Sequence, residues 1–486
     1  MKYQLTNAVW EITMKCNMRC QHCGSSCEEA MEDELTTEEA LELCDDLKEL
    51  GLKYITISGG ELTTRKDWHL IAKKLVENGI VTSMITNGWI MSDDTVQKAK
   101  EAGINTIAIS IDGCQETHDK IRKPGSFERD IENFKRIKES GIIPAAITTI
   151  QKQNVDELEE LYQILKEAGV LTWQLQIALP MGNFKKHMEE CIEPADVLKV
   201  VDFAYSKIEE DMTIDLADSI GFYSKKDTAL MRKRFGKDAY WQGCSAGKCN
   251  IGILNNGDIV GCTSIRGKEF IEGNIRKTKL KEIWNSEESF KWNRCFTRND
   301  LKGLCKECQY ADYCLGGCAN LRYCMNGDVC SENTYCIYNM QLNEYKKKIQ
   351  KLCTLQELES LLYFMLDKKQ IQVAGMVADR IEELGITSEG IQQNLGFLYY
   401  SKGDYQTCAT INQKILEQNP QNKYAKKGLG LAVYQLGDVE KGIQLMYEAL
   451  DKDYMDSYSD LYLVLKEQKR EKEAEALKQE MDKLEK

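Results

Sequence analysis

Three cysteines near the start of the chain, Cys16, Cys20 and Cys23, are spaced C-x3-C-x2-C. Thiolates are soft ligands that suit iron-sulfur clusters or zinc. A structural zinc closes its shell with four ligands, whereas three thiolates leave one coordination position open. A [4Fe-4S] cube held by these three would keep one iron free to bind another molecule. Cys27 is near enough in sequence to supply a fourth thiolate and close the site, and His22 is an alternative ligand between the second and third cysteines. A second group lies far downstream: Cys244, Cys249 and Cys262, the last five residues after Gly257, then Cys305-x2-Cys308-x5-Cys314-x3-Cys318, and Cys336. Because C-x2-C is also a zinc spacing, two four-cysteine zinc sites are the competing reading of that group.

The chain has 20 cysteines in 486 residues. In a secreted protein they would point to disulfides, and in a reducing compartment to metal or catalysis. The opening MKYQLTNAVWEITMK has no apolar signal core, and no later run approaches the ~18 apolar residues of a membrane span. A cytoplasmic location with no membrane association is therefore expected, and metal is the expected use of the thiols. A net charge of -13 argues against nucleic acid, whose phosphates need a basic surface. It leaves peptides and small molecules as partners. Hydrophobic content of 42% with 5 prolines fits packed domains, about three of them at ~150 residues each.

The elements that must position these residues fall into three regions. From 8 to about 210, apolar runs read as strands at 9–14, 54–58, 81–86, 106–111, 143–150 and 172–178, separated by helical patterns such as 36–50 and 154–169. Six strand-helix units in series imply α/β structure with parallel strands and right-handed crossovers, as an open doubly wound sheet or a partial barrel. Residues 241–340 are rich in cysteine and glycine and weakly periodic, which suggests a small fold organised around metal. From about 355 the pattern is helical. Leu395-Gly396, Tyr400 and Gly403-Asp404 recur 34 residues later as Leu429-Gly430, Tyr434 and Gly437-Asp438. That period, with Pro420 after the first copy, resembles the tetratricopeptide repeat. Gly403 and Gly437 fit helix C-caps, and 355–388 and 457–486 read as degenerate flanking copies. An ordinary helical bundle is the alternative.

The Cys16, Cys20, Cys23 motif resembles that of the radical SAM superfamily, whose open iron chelates the amino and carboxylate groups of S-adenosylmethionine. The resemblance extends to motifs at successive strand ends. Gly59-Gly60-Glu61 follows the second strand, Thr86-Asn87-Gly88 ends the third and Ser110-Ile111-Asp112-Gly113 ends the fourth, with Arg122 in HDKIR soon after. In the family the GGE segment hydrogen-bonds the methionine ammonium, and glycine lets the backbone come close. The serine and arginine equivalent to Ser110 and Arg122 hold the carboxylate, which suits a guanidinium fork. Asn87 joins this set, Gln176 and Ile177 fall where the family lines the adenosine, and His22 stands where it places an aromatic residue near adenine. Leu62 departs from the proline that many relatives have after GGE, a matter of loop stiffness. Such positions at the C-terminal ends of consecutive parallel strands are where TIM-type barrels carry chemistry, which selects a partial (β/α)6 barrel.

The downstream cysteines match the SPASM domain, an extension of radical SAM enzymes that modify peptides and proteins. Carried over by position, Cys244, Cys249, Cys262 and Cys318 would hold one auxiliary [4Fe-4S] cluster. Cys305, Cys308, Cys314 and Cys336 would hold the other, with Cys324 and Cys330 near enough to compete. Cys44 on a helical apolar face and Cys408 at a repeat position that takes a small residue read as packing. The implied organisation is a barrel over 1–215, a SPASM domain over 216–350 and helical repeats over 351–486, carrying three [4Fe-4S] clusters and S-adenosylmethionine.

The implied activity is reductive cleavage of S-adenosylmethionine to a 5′-deoxyadenosyl radical that abstracts hydrogen from a substrate. The leading substrate is a ribosomally made precursor peptide that acquires a thioether or carbon-carbon crosslink. An electron donor such as flavodoxin or ferredoxin is required. The first strand begins near residue 9, so a leader-recognition domain does not fit ahead of it, and the repeats are the expected recruiting surface. A sulfatase-maturase reading is weakened by Thr263, because those enzymes carry aspartate after the cysteine equivalent to Cys262. A non-catalytic iron-sulfur scaffold would require the GGE, SIDG and Arg122 positions to be vestigial, against their intact spacing. The acid or base that handles the departing proton is not legible. Anaerobic reconstitution should load about twelve irons per chain, four for each cluster. Metal analysis that finds about two zincs and one cluster's iron would overturn the auxiliary assignment.

Overall fold

A parallel strand buried on both faces needs β-branched residues, and the barrel strands are rich in Val, Ile and Thr. The computed structural model describes residues 3–484 apart from 219, 222 and 223. β1 (Asn7–Glu11), β2 (Tyr54–Ser58), β3 (Val81–Thr86), β4 (Thr106–Ser110), β5 (Ile143–Ile150) and β6 (Thr172–Ile177) pair in chain order, all parallel. Between them run α1 (Thr37–Glu49), α2 (Trp68–Glu77), α3 (Asp93–Ala102), α4 (Gln115–Ile121), α5 (Ser126–Ser140) and α6 (Leu158–Ala168), and α7 (Asp196–Ser206) follows β6. Thr36 and Glu39 close α1 with a reciprocal capping box, and Ser92 caps α3. Trp10, Ile57, Met84, Ile107 and Trp173 are wholly buried in the core between sheet and helices. The Trp173 indole N–H donates to Thr148 Oγ1 at 2.8 Å, so its burial leaves no polar group unpaired.

Two boundaries differ from the sequence pattern, each for a polar reason, and one strand is additional. β1 ends at Glu11 although the apolar run continues to Met14. Glu34 accepts from Met14 N at 2.6 Å and Thr13 Oγ1 at 3.1 Å, which draws the chain out of the strand. α6 begins at Leu158 because Asn154 spends its side chain on Gln151 N and Thr149 O, an interaction that competes with helix. A seventh parallel strand, β7 (Thr213–Leu216), pairs with β6. Its four residues, TIDL, are too short a run to stand out in the sequence.

The cysteine-rich region joins the same sheet. β8 (Asn250–Ile253) pairs parallel with β1, placing Ile253 opposite Trp10. β9 (Asp258–Val260) and β10 (Ile271–Asn274) continue antiparallel. The result is an open ten-stranded sheet with β10 and β7 at its ends. Cys249 directly precedes β8 and Cys262 follows β9, so this hairpin fixes both relative to the barrel.

The chain divides into two units, Met1–Met340 and Gln341–Lys486. In the second, helices Leu355–Asp367, Glu389–Ser401, Lys423–Gln435 and Asp456–Glu467 each precede and pack on a partner helix, at Ile371–Leu384, Tyr405–Gln418, Val439–Glu448 and Glu471–Leu484. Asp404 and Asp438 cap their helices by accepting from Thr407 N and Lys441 N, the local reason for the recurring Gly-Asp pair. No helix among the described residues is long and apolar enough to cross a membrane.

Asn293 is 4% exposed and donates to Cys244 O at 2.8 Å and Ala246 O at 2.6 Å. Asn293→Ala would leave both carbonyls without that partner. Chemical denaturation should find the variant destabilised by about 1–3 kcal/mol.

Candidate functional site

The loop after β1 carries Cys16, Cys20 and Cys23 across the C-terminal ends of β2 and β3. Cys16 N donates to Glu28 O at 2.9 Å, tying the loop's two arms together. The loop lies directly on the glycine pair: Gly60 N donates to Thr13 O and Glu61 N to Lys15 O, both at 2.7 Å. A Cβ at Gly60 would sit 2.4 Å from Lys15 O, and one at Gly59, where φ is +149°, 2.4 Å from Thr13 O. These glycines are therefore required by the approach of the cysteine loop itself.

A cavity of about 310 Å³ opens at these strand ends, within the range of small-molecule sites. Cys16, Cys20, Cys23, Gly59, Gly60, Asn87, Ser110, Arg122, Gln176, Ile177 and His22 all line it. Glu61 does not. Its side chain is 1% exposed and turned beneath the site, where it accepts from Thr86 Oγ1 at 2.9 Å, Thr63 Oγ1 at 2.6 Å and Asn87 N at 2.7 Å. Burial raises its carboxyl above the usual range, and these donors oppose that shift. Glu61 thus fastens the Thr86-Asn87 turn, and only its backbone is near the cavity. Asn87, held in this way, directs Nδ2 to Asn17 Oδ1 at 2.7 Å and Cys16 Sγ at 3.8 Å.

Asp112 organises the opposite wall. It is wholly buried, with Oδ2 accepting from Arg122 Nε at 2.5 Å and facing His22 Nε2 at 3.1 Å, while Oδ1 accepts from Thr149 N at 2.7 Å. Burial alone would raise this carboxyl. The Arg122 guanidinium, then His22 and the Thr149 N–H, outweigh it and hold the group well below the carboxylate range. Arg122 is thereby oriented through Nε, with Nη1 at 4.0 Å from Cys20 Sγ. Gln176 is braced by Thr149 Oγ1 at 3.0 Å. His22, expected near adenine, is anchored to Asp112, so one edge of its ring is committed to the protein. The sequence motif contains Asp112, but its role as the anchor of both Arg122 and His22 is visible only in space.

The cavity also takes residues that the sequence reading did not single out. Arg266, from the cysteine-rich region, donates to Glu11 and Ser25 and lines the site beside Ser264 and Thr263. Asp218 and Asn320 line it as well. Cys27 also reaches the cavity and lies beside Cys23, which keeps open its reading as a fourth ligand.

Of the downstream cysteines, Cys305, Cys308, Cys314 and Cys336 are all buried and line one small enclosed space with Tyr310 and Tyr338. Asn333 N and Asn339 Nδ2 each donate to Cys305 Sγ at 3.4 Å, and Tyr310 N to Cys308 Sγ at 3.4 Å. Burial pushes the Cys308 thiol up to about 11 and Cys336 to about 12. Buried thiols of this kind become thiolates only with a cation as partner. Cys244, Cys262 and Cys318 lie within electrostatic reach of one another, Cys249 is beside Cys244, and Cys318 Sγ is 3.6 Å from Asp218 Oδ1. Cys324 is instead against Asn320 Oδ1 at 3.2 Å, and Cys330 sits near Asp328 and Lys302. Neither lines the space enclosed by Cys305 and its neighbours. Among the described residues no three His, Cys, Asp or Glu side chains converge at single-ion distance. Cys305, Cys308, Cys314 and Cys336 surround a space, as Cys16, Cys20 and Cys23 line theirs, the arrangement suited to a cluster that offers one iron to each thiolate.

In the helical unit a separate concavity of about 120 Å³ is lined by Phe397, Tyr400, Asn412, Tyr424, Lys427 and Asp460 among others. Lys427 pairs with Asp460 at 2.7 Å and lies over the Tyr454 ring at 4.7 Å. Asn412 Oδ1 is buried there without a partner.

Comparison with known proteins gives a consistent picture. The Radical SAM superfamily model matches residues 10–165, and the SPASM iron-sulfur cluster-binding domain matches 244–309. An AdoMet-dependent heme synthase of Methanosarcina barkeri is 30% identical over 349 residues, covering 69% of this chain and 98% of the relative. The mycofactocin maturase MftC of Mycolicibacterium smegmatis is 25% identical over 318 residues, covering 65% and 78%. Among solved structures, Streptococcus suis SuiB bound to S-adenosylmethionine superposes with a TM-score of 0.57 at 17% identity, covering 69% of this chain and 78% of SuiB.

Beneath the site, Asp112 N donates to His118 Nδ1 at 3.0 Å, so the neutral imidazole carries its proton on Nε2, which faces Asp130 Oδ2 at 3.5 Å. Burial raises the Asp130 carboxyl to about 6, against ~3.9 in an unfolded chain. The folded state therefore holds this proton more tightly. The contribution of this group to stability declines as pH rises from about 4 to about 6 and is then level. Asp130→Asn should be more stable than the parent at pH 7 by about 1–3 kcal/mol, and denaturation curves taken below about pH 4 should show the gain vanish.

Proposed function

The chain belongs to the radical SAM superfamily and carries a SPASM iron-sulfur domain, and from that premise we propose a peptide maturase. Cys16, Cys20 and Cys23 hold its catalytic cluster. Cys244, Cys249, Cys262 and Cys318 hold one auxiliary cluster, and Cys305, Cys308, Cys314 and Cys336 the other. The reading rests on the convergence of the first three cysteines with Gly59, Ser110, Arg122 and Gln176 on one cavity. When bound and reduced, the cluster and S-adenosylmethionine supply a 5′-deoxyadenosyl radical that takes hydrogen from an unactivated carbon. The protein's own part is to orient and exclude water. Arg122, fixed through Nε by Asp112, presents its remaining N–H groups to the methionine carboxylate, and Ser110 adds a neutral donor. Gln176 and Ile177 receive the adenosine. The division into 1–215, 216–350 and 351–486 goes with this reading, with the helical region as the part that recruits the peptide.

The share of the heme synthase that is matched is nearly complete, yet about a third of this chain lies outside the match. A region of that size is the helical unit, and its concavity at Tyr424 and Lys427 offers a surface to an extended peptide. A second reading follows from the same relative: haem formation from an iron porphyrin, favoured by 30% identity across 98% of its length. The candidate peptide is to be sought as a short reading frame beside the gene. The test is 5′-deoxyadenosine formation by the anaerobically reconstituted enzyme with that peptide or with an iron porphyrin. Mass spectrometry should show a crosslinked peptide with matching loss of hydrogen, and Lys427→Glu should raise the KM for the peptide without removing cluster iron. Turnover of the porphyrin alone would replace the peptide reading with the second one. Arg122→Ala should weaken S-adenosylmethionine binding by about 1.5–3 kcal/mol, roughly 10- to 150-fold. Unchanged affinity in equilibrium binding would mean that the carboxylate is held elsewhere.

A further inference from the structure

Reduction of the cluster at Cys16, Cys20 and Cys23 requires one electron from outside the protein, and one stretch of surface is built to receive it. Trp89, half-buried after the Asn87-Gly88 turn, donates its backbone N–H to Asn87 Oδ1 at 3.0 Å. Asn87 Nδ2 in turn reaches Cys16 Sγ at 3.8 Å. Two hydrogen bonds thus join a surface indole residue to a cluster cysteine. The ring is flanked by cations, with Lys123 Nζ at 3.7 Å and the Arg129 guanidinium at 4.4 Å from its centroid.

On a chain of net charge -13, two cations stand over this indole. Among the described residues Lys120, Lys123 and Arg129 have no carboxylate partner, while exposed Arg19 faces Glu28 at 3.6 Å. Gln21 of the cysteine loop donates to Lys120 O at 3.3 Å, which places Lys120 beside that loop. A shallow concavity of about 620 Å³ next to Trp89 exposes Ile90 and holds Arg129 and Arg136. Glu128 and Glu132 line it too, and Arg136 pairs with Asp93. Lys123 and Arg129, the two cations over the indole, are among those without such a partner. The net charge of the chain opposes the approach of an acidic protein, and Lys123 and Arg129 offer it a local attraction.

We propose that the Trp89 surface is the docking site of an acidic one-electron carrier protein, and that Trp89, Asn87 and Cys16 form the route to the catalytic cluster. The carrier loses one electron, the cluster gains it, and no atom moves. The inference rests on the assignment of Cys16, Cys20 and Cys23 to that cluster, which S-adenosylmethionine cleavage driven by dithionite tests separately.

The experiment titrates purified acidic flavodoxin into the reconstituted enzyme and into Lys123→Glu/Arg129→Glu, at low and high salt. It also compares S-adenosylmethionine cleavage driven by reduced flavodoxin with that driven by dithionite. Binding to the parent should weaken as salt rises, and the double variant should lose at least tenfold in affinity and in flavodoxin-driven rate while its dithionite-driven rate stays level. Trp89→Leu should slow flavodoxin-driven cleavage by more than it weakens binding. The proposal fails if the parent binds flavodoxin without salt dependence or not at all, or if the double variant binds as the parent does. It fails equally if both rates fall together, since the residues would then be supporting the fold of the site.

Discussion

A carboxylate with no exposure to water, Asp112, is the constraint around which the site is arranged. An ionised group there is tolerable only because two cationic or donor side chains and a backbone N–H meet it, from three different segments of chain. His22 comes from the cysteine loop, Arg122 from the end of α4 and Thr149 from β5. The same interaction therefore positions a loop, a helix end and a strand relative to one another. Removing one member of such a buried pair typically costs about 3–5 kcal/mol, because the other is left without compensation. Arg122 can address a ligand accurately because its Nε is already committed.

A second constraint is steric. The cysteine loop lies on Gly59 and Gly60 at a distance that admits no side chain, so the loop, the second strand and Glu61 behave as one rigid piece. Glu61 then passes that rigidity to Asn87. The thiols sit in this frame at raised proton affinity: burial pushes Cys20 up to about 11 and Cys262 to about 11. Iron bound at these thiols would have to expel those protons, which would couple cofactor assembly to the final ordering of both cysteine regions.

The periodic part of the fold was readable in the chain. Six apolar runs fall on six of the parallel strands, because burial on both faces leaves an unmistakable composition. Motifs at strand ends were legible because parallel topology brings consecutive ends to one rim, and that rim carries the cavity. What was hidden depends on contacts across long separations. Nothing local in NIGI announces that β8 will pair with β1, some 240 residues earlier. Arg266 reads as an ordinary polar residue until the hairpin places it against Glu11. The GGE motif suggested a ligand contact for its segment, and that the Glu61 side chain is a buried brace is something only the depth of the turn reveals. Two helix starts of the second unit were visible through their Gly-Asp pairs, since a left-handed residue followed by a helix cap is written in two adjacent letters.

The pairing of β8 with β1 has a consequence for how such a chain can change over time. A region attached by a flexible tether can be lost or exchanged and leave its neighbour intact. Here the cysteine-rich region supplies the strand that covers one margin of the barrel sheet. Its loss would bare the backbone N–H and C=O groups of β1 along a strand that includes Val9 and Trp10, the kind of open edge that recruits other chains into aggregates. The two regions therefore stand or fall as one foldable piece, and changes of sequence are more freely absorbed beyond residue 340, where the second unit begins.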